Sequence, residues 1–197
     1  MLDTTERQRA GDDLRRRDGI GRIHVAPYVR AGEEWTVPEN VLRYIWQDME
    51  REHTIASIRG EAIPDEDAWV TFLQSQQIFP VIVYVVLNEG VYAAGACWLS
   101  HLGKHNAFAH FTFLKRFWGR TEQLARAVLE YWDGLRRDDG TPLLKCLVGG
   151  TPSENRLAVA FARRMGFTVL GAIPWMHDED AIVVSYRVHP EVSKDGR

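Results

Sequence analysis

The sequence predicts an α/β (α+β) fold, a mixed and mostly antiparallel sheet flanked by helices. Three observations carry this expectation. Strand–helix–strand units fill the second half of the chain, and hairpin-like strand pairs stand before and after them. A length of 197 residues with 45% hydrophobic and 11% aromatic content is enough to bury one core of ordinary size.

Taken in order, IHVAPYV reads as a first strand, and PENVLRYIWQDMERE places Val41, Tyr44, Ile45 and Met49 at helical spacing behind Pro38. PDEDAWVTFLQSQ opens on Pro64, Asp65 and Glu66, a composition suited to a helix N-terminus. FPVIVYVVL is rich in β-branched residues, and NEG turns it toward VYAAGACWLS. HLGKHN is a loop before the strand AFAHFTFLK. TEQLARAVLEYWDGL is a helix with Leu124, Val128, Tyr131 and Leu135 on one face. After the loop RRDDGTP come the strand LLKCLVG and the helix SENRLAVAFARRMGF. TVLGAIPW and AIVVSYRVH close the chain as two strands around MHDED. The expected order is β-α-α-β-β-β-α-β-α-β-β, in one domain over residues 22–188. Charged tails poor in large apolar residues flank it at 1–21 and 189–197.

The bulk numbers narrow the function. A net charge of −3 argues against nucleic-acid or membrane binding driven by global charge. No apolar run reaches the roughly 18 residues of a membrane helix, and residues 1–20 lack a secretory pattern. A soluble, cytoplasmic protein is the expectation. Cys97 and Cys146 lie in apolar runs and read as small core residues; neither a disulfide framework nor a metal site is expected.

Two stretches carry chemistry. In KRFWGRT, the strand AFAHFTFL hands over to a helix, whose first N–H groups lack partners and carry the positive end of the helix dipole. Such an end takes phosphate. Gly119 permits close approach, Arg116 and Arg120 add charge, and Thr121 is suited to cap the helix or to bond a phosphate oxygen. Neither GxxxxGK[ST] nor GxGxxG is present. In SENRLAVAFARRMGF, Ser153 is a candidate cap, and Ala158, Phe161, Ala162 and Met165 are expected to form its buried stripe. Arg163 and Arg164 suit the last turn, and Gly166 a left-handed end. Asn155 is a polar residue after a strand that none of this explains.

On these residues the chain resembles the GNAT superfamily of N-acetyltransferases. R-x-x-G-x-T is similar to that superfamily's pyrophosphate-binding Q/R-x-x-G-x-G/A turn, and N-R-L-A-x-x-F-x-x-x-M-G-F to its second motif. The resemblance implies a splayed parallel pair at the centre of the sheet, formed by the strand ending at Leu114 and the strand at Leu143–Val148. It implies acetyl-CoA, or another acyl-CoA, as co-substrate. The pantetheine would pair with backbone near Phe113 and Leu114, the pyrophosphate would sit on the amides of Trp118 to Thr121, and Asn155 would face the ligand. The acceptor would be an amine, on a small molecule or a protein, that attacks the thioester directly with no covalent enzyme intermediate. Acceptor-binding segments would be HTIASIRGEAI and WMHDED, the latter with an acidic tip of His177, Asp178, Glu179 and Asp180; Trp46 and Trp175 would line the pocket or pack in the core. A homodimer is possible by the same analogy. Two departures stand out: Thr121 replaces a small residue, and Ala162 occupies the position where the family often has a tyrosine acid.

His110, on AFAHFTFL, is the candidate base, since histidine has the ordinary pKa for that work; His101 and His105 read as surface loop residues. The expected function is acyl-CoA-dependent N-acetyl transfer without a metal. The alternative is a GNAT-like binding or structural module without turnover, within a larger assembly.

Overall fold

The computed structural model describes residues 21–55, 63–176 and 179–188. The predicted tail 1–21, except Gly21, and the tail 189–197 lie outside them, as does most of HTIASIRGEAI. The elements are β1 (Arg22–Pro27), β2 (Arg30–Ala31), β3 (Glu34–Trp35), α1 (Glu39–Arg51), α2 (Glu66–Leu73), β4 (Ile78–Leu87), β5 (Gly90–Ser100) and β6 (Asn106–Phe113). A 3-10 turn (Lys115–Arg120) leads into α3 (Thr121–Asp133), and β7 (Cys146–Pro152), α4 (Arg156–Arg164), β8 (Thr168–Met176) and β9 (Glu179–Arg187) complete the chain. The expected alternation is present. The small β2–β3 hairpin, turned by Gly32 at φ +67°, and the 3-10 turn are additions to it.

Seven strands form one mixed sheet in the order β1-β4-β5-β6-β7-β9-β8. β1 with β4, β7 with β9 and β8 with β9 are antiparallel, while β6 and β7 run parallel at the centre. That parallel ladder holds only Asn106↔Cys146, Ala107↔Leu147 and Phe108↔Val148; beyond it β7 continues to Pro152 on β9. Among the described residues, no helix is long and apolar enough to cross a membrane.

The chain divides into two compact units. The first takes in residues up to Trp98 together with Phe111–Ala127. Its α1 buries Leu42, Ile45, Trp46 and Met49, a 3.6-residue stripe, with the acid Asp48 beside them. Trp46 packs on Trp69 of α2 at 6.2 Å between centroids, and the Trp69 indole N–H donates to the Leu42 carbonyl at 3.3 Å. Trp69 and Phe72 both meet Trp98 of β5 edge-on, at 5.7 and 5.6 Å, contacts that each add about 0.5–1.5 kcal/mol beyond area burial. Trp46 is thus a core residue. Outside, Arg43 joins the helices through Glu39, Glu66 and Asp67. Gly95 is a glycine for a steric reason: a Cβ there would stand 2.1 Å from the Thr112 carbonyl oxygen.

The second unit comprises Leu99–His110 and the chain from Val128. β9 is its central strand, bonded to β7 on one side and β8 on the other. Leu147, Met165, Phe167 and Val184 are buried there, and Phe167 meets Tyr186 at 5.2 Å. α4 ends as its sequence suggests: Gly166 is left-handed at φ +88°, and the Phe167 N–H returns to the Ala162 carbonyl at 3.0 Å.

Candidate functional site

In the first unit, the end of β6 and the turn after it are built on α1. The Glu52 carboxylate, at the C-terminal end of α1, accepts from the backbone N–H groups of Lys115 and Arg116. A side chain of the protein therefore supplies the anion at the head of this turn. The Arg116 guanidinium turns inward. It donates to Asp48 Oδ2 at 2.5 Å, to the Tyr44 hydroxyl at 3.3 Å and to the Ala93 carbonyl at 3.4 Å, with Glu52 at 3.5 Å. Its guanidinium carbon lies over the rings of Tyr44 and Phe117, at 5.6 and 5.3 Å from their centroids. Asp48 is 1% exposed and Arg116 17%, so this pair is shielded and additionally held by Arg51. The position expected to supplement phosphate binding is spent on the fold.

The backbone also differs from an open nest of amides. Leu114 donates its N–H to Ala94 of β5 at 2.9 Å, and the Phe113 carbonyl accepts the Trp118 indole N–H at 3.1 Å. The Phe117 N–H returns to the Leu114 carbonyl, and both the N–H and the hydroxyl of Thr121 return to the Trp118 carbonyl. Thr121 thus closes the 3-10 turn backward rather than capping α3 forward. What remains outward is the face carrying Trp118, 54% exposed, and Gly119. Lys115 extends its Nζ over the Trp118 ring at 5.9 Å, and Arg120 follows in the chain. A Cβ at Gly119 would find no atom within 4 Å, and its φ is not left-handed, so neither packing nor backbone conformation requires glycine there.

In the second unit, the α4 cap is Asn155 and not Ser153. The Asn155 side-chain oxygen accepts from the Ala158 N–H at 3.0 Å. The Ser153 N–H instead donates to the Asp180 carbonyl at 2.8 Å. Of the acidic tip, Glu179 and Asp180 begin β9, while His177 and Asp178 lie outside the described residues.

His110 is half-buried on β6, and its Nε2 is 2.9 Å from the Ser100 hydroxyl. The same hydroxyl is 3.1 Å from Nδ1 of His101. His101, expected as a surface loop residue, is thus joined to the candidate base through Ser100. The signal available in the sequence was adjacency: Ser100 ends the strand before the one that carries His110, and His101 follows it. His105 is half-buried rather than on the surface, with Nδ1 shielded and without a partner. Burial first, then Lys145, Arg137 and Lys104, hold its pKa below the ordinary value. Cys97 is fully buried and its thiol pKa is pushed up by burial, whereas Cys146 is only half-buried. Among the described residues, no three His, Cys, Asp or Glu side chains converge as a metal site would need.

Comparison with known proteins places this architecture. No family model and no curated protein matches the sequence. Solved structures do. A ribosomal L7/L12 α-N-protein acetyltransferase, RimL, in complex with CoA superposes with a TM-score of 0.63 at 13% identity, over 84% of this chain and 94% of that one. Spermidine N-acetyltransferase from Vibrio cholerae, with CoA and spermine, gives 0.61 at 14% over 84% and 95%. The microcin C7 self-immunity acetyltransferase MccE, with acetyl-CoA and AMP, gives 0.60 at 16% over 77% and 89%. At these identities the likeness establishes architecture: the chain has the fold of the GNAT acetyltransferases.

Proposed function

We propose that the protein is an acyl-CoA-dependent N-acetyltransferase, a single catalytic domain over residues 22–188. The observation that carries this reading is Gly119. The fold does not need a glycine there, yet one occupies the open face of the turn between Lys115 and Arg120. A bound phosphate close to the backbone is what a side chain at that position would obstruct. Phe113, Leu114, Trp118, Arg120 and Thr121 shape the same connection. Arg116 supports it from within by anchoring the turn, and Asn155 caps α4. Acetyl-CoA would supply the activated acyl group. His110 would take the proton of the attacking amine, and the acidic start of β9 at Glu179 and Asp180 favours a cationic acceptor.

A second reading, a CoA-binding module without turnover, rests on Ala162. It offers no hydroxyl for protonating the departing thiolate, a lapse that slows such chemistry by about 10²–10⁴-fold.

Thermal melts with acetyl-CoA, CoA and desulfo-CoA test the binding claim. A ligand at 100 times its Kd adds about 2.7 kcal/mol. The Gly119→Glu variant should fold and lose the shift. No shift with any of the three would overturn both readings, and a shift without thiol release across a panel of amines would favour the module.

A further inference from the structure

We infer that His110, Ser100 and His101 form a proton outlet, with Ser100 and His101 as positioning residues that carry away the proton His110 receives; the inference rests on the acetyltransferase reading. A serine hydroxyl has one hydrogen and two lone pairs. It lies 2.9 Å from His110 Nε2 and 3.1 Å from His101 Nδ1, so it can donate to only one of the rings. The other ring must donate to it. One polarity of this chain points outward: His110 Nε2–H to Ser100 Oγ, and Ser100 O–H to His101 Nδ1. Burial sets the direction of travel. Ser100 is buried, His110 is half-buried, and His101 is exposed.

The geometry around His101 is maintained rather than incidental. Its backbone is left-handed at φ +48°, a conformation that a non-glycine residue adopts at a cost and that tends to mark working positions. That turn brings the ring back beside the hydroxyl of the preceding residue. Phe108 braces the ring edge-on at 5.7 Å. His110 itself sits three residues before Phe113, on the strand that leads into the proposed CoA turn.

The proton count balances. As the amine nitrogen bonds to the acyl carbon, its proton passes to Nδ1 of His110, directly or through a neighbouring group. The Nε2 proton of His110 then moves to Ser100 Oγ, whose own hydrogen moves to His101 Nδ1. His101 releases its Nε2 proton to water, and the departing thiolate takes one proton from water. Nothing is oxidised or reduced.

Long-range proton–nitrogen spectra of the full chain, labelled with 15N-histidine, test the polarity without any turnover. In the neutral rings, His110 should carry its hydrogen on Nε2, and His101 Nδ1 should be bare. Ser100→Ala should remove that preference from both rings together. The reverse tautomers, or rings indifferent to Ser100→Ala, would overturn the outlet.

With acetyl-CoA and spermidine or spermine as probes, Ser100→Ala should lower kcat about 10- to 100-fold. KM for acetyl-CoA should stay unchanged, and Ser100→Thr, which keeps the hydroxyl, should restore the rate. An unchanged kcat in Ser100→Ala overturns the outlet while leaving the acetyltransferase reading intact. Failure of the wild type to bind CoA by calorimetry sinks that reading instead. If CoA binds but neither amine turns over, the spectra decide: outward tautomers uphold the outlet and inward ones end it.

Discussion

Arg116 and Asp48 lie 2.5 Å apart, joining the turn after β6 to the buried face of α1. The carboxylate is 1% exposed and also receives Arg51. Removing one partner of a shielded pair strands the other, which typically costs about 3–5 kcal/mol. We expect Arg116→Met to lie at the lower end of that range in urea unfolding, because Arg51 remains on Asp48. Arg51→Ala, at an exposed position, should cost about 1 kcal/mol or less. Equal losses would show that Arg116 is not the anchor.

Gly95 and Gly119 should separate under the same substitution. At Gly95, the added methyl meets the Thr112 carbonyl at 2.1 Å, which β5 or β6 must yield to accommodate. Gly95→Ala should destabilise by about 1–3 kcal/mol. At Gly119 the space is empty, and Gly119→Ala should leave stability within about 0.5 kcal/mol. Its effect should appear in CoA affinity by calorimetry.

Asn155 is a helix cap in this structure. Asn155→Ala should cost about 1 kcal/mol, while Asn155→Asp should hold stability, since a carboxylate caps as well and complements the dipole. A fall in CoA affinity in Asn155→Asp, at unchanged stability, would give the amide a part beyond capping.

His105 couples stability to acid. Its folded pKa lies below the ordinary 6.5, owing to burial first and then to Lys145, Arg137 and Lys104. The unfolded chain therefore binds the proton more readily, so His105's contribution is complete above pH 6.5 and is lost as pH falls toward the lower folded value. Melting temperature should drop over that interval, and His105→Gln, which cannot charge, should flatten the drop. An unchanged pH profile in the variant would remove His105 as the source.

The order of helices and strands was legible because periodicity is local. α1 and α3 run almost to the predicted ends, and Gly166 marks the close of α4 as its sequence suggests. β7 was misplaced by three residues because its limits depend on distant partners. It starts where Cys146 meets Asn106 and runs to Pro152 because Ala181 pairs there. The site was legible only in part. R-F-W-G-R reads as an open turn, but its form depends on Glu52, more than sixty positions earlier in the chain. Asp48 could have been noticed as an acid on the apolar stripe of α1, whereas its pairing with Arg116 leaves no mark at either position. For α4, Ser153 and Asn155 are both competent caps by composition, and only backbone geometry chose between them.

The terminal strand of the sheet has a bearing on how the protein behaves in crowded solution. β8 borders the sheet, and Leu170 and Ile173 on it are 62% and 49% exposed. A straight, greasy border of this kind would recruit a stranger's backbone and seed fibrils. Here the register against β9 breaks twice, between Val169 and Gly171 and between Ile173 and Met176. A newcomer aligned with one stretch falls out of step at the next, so β8 makes a poor template for end-on growth.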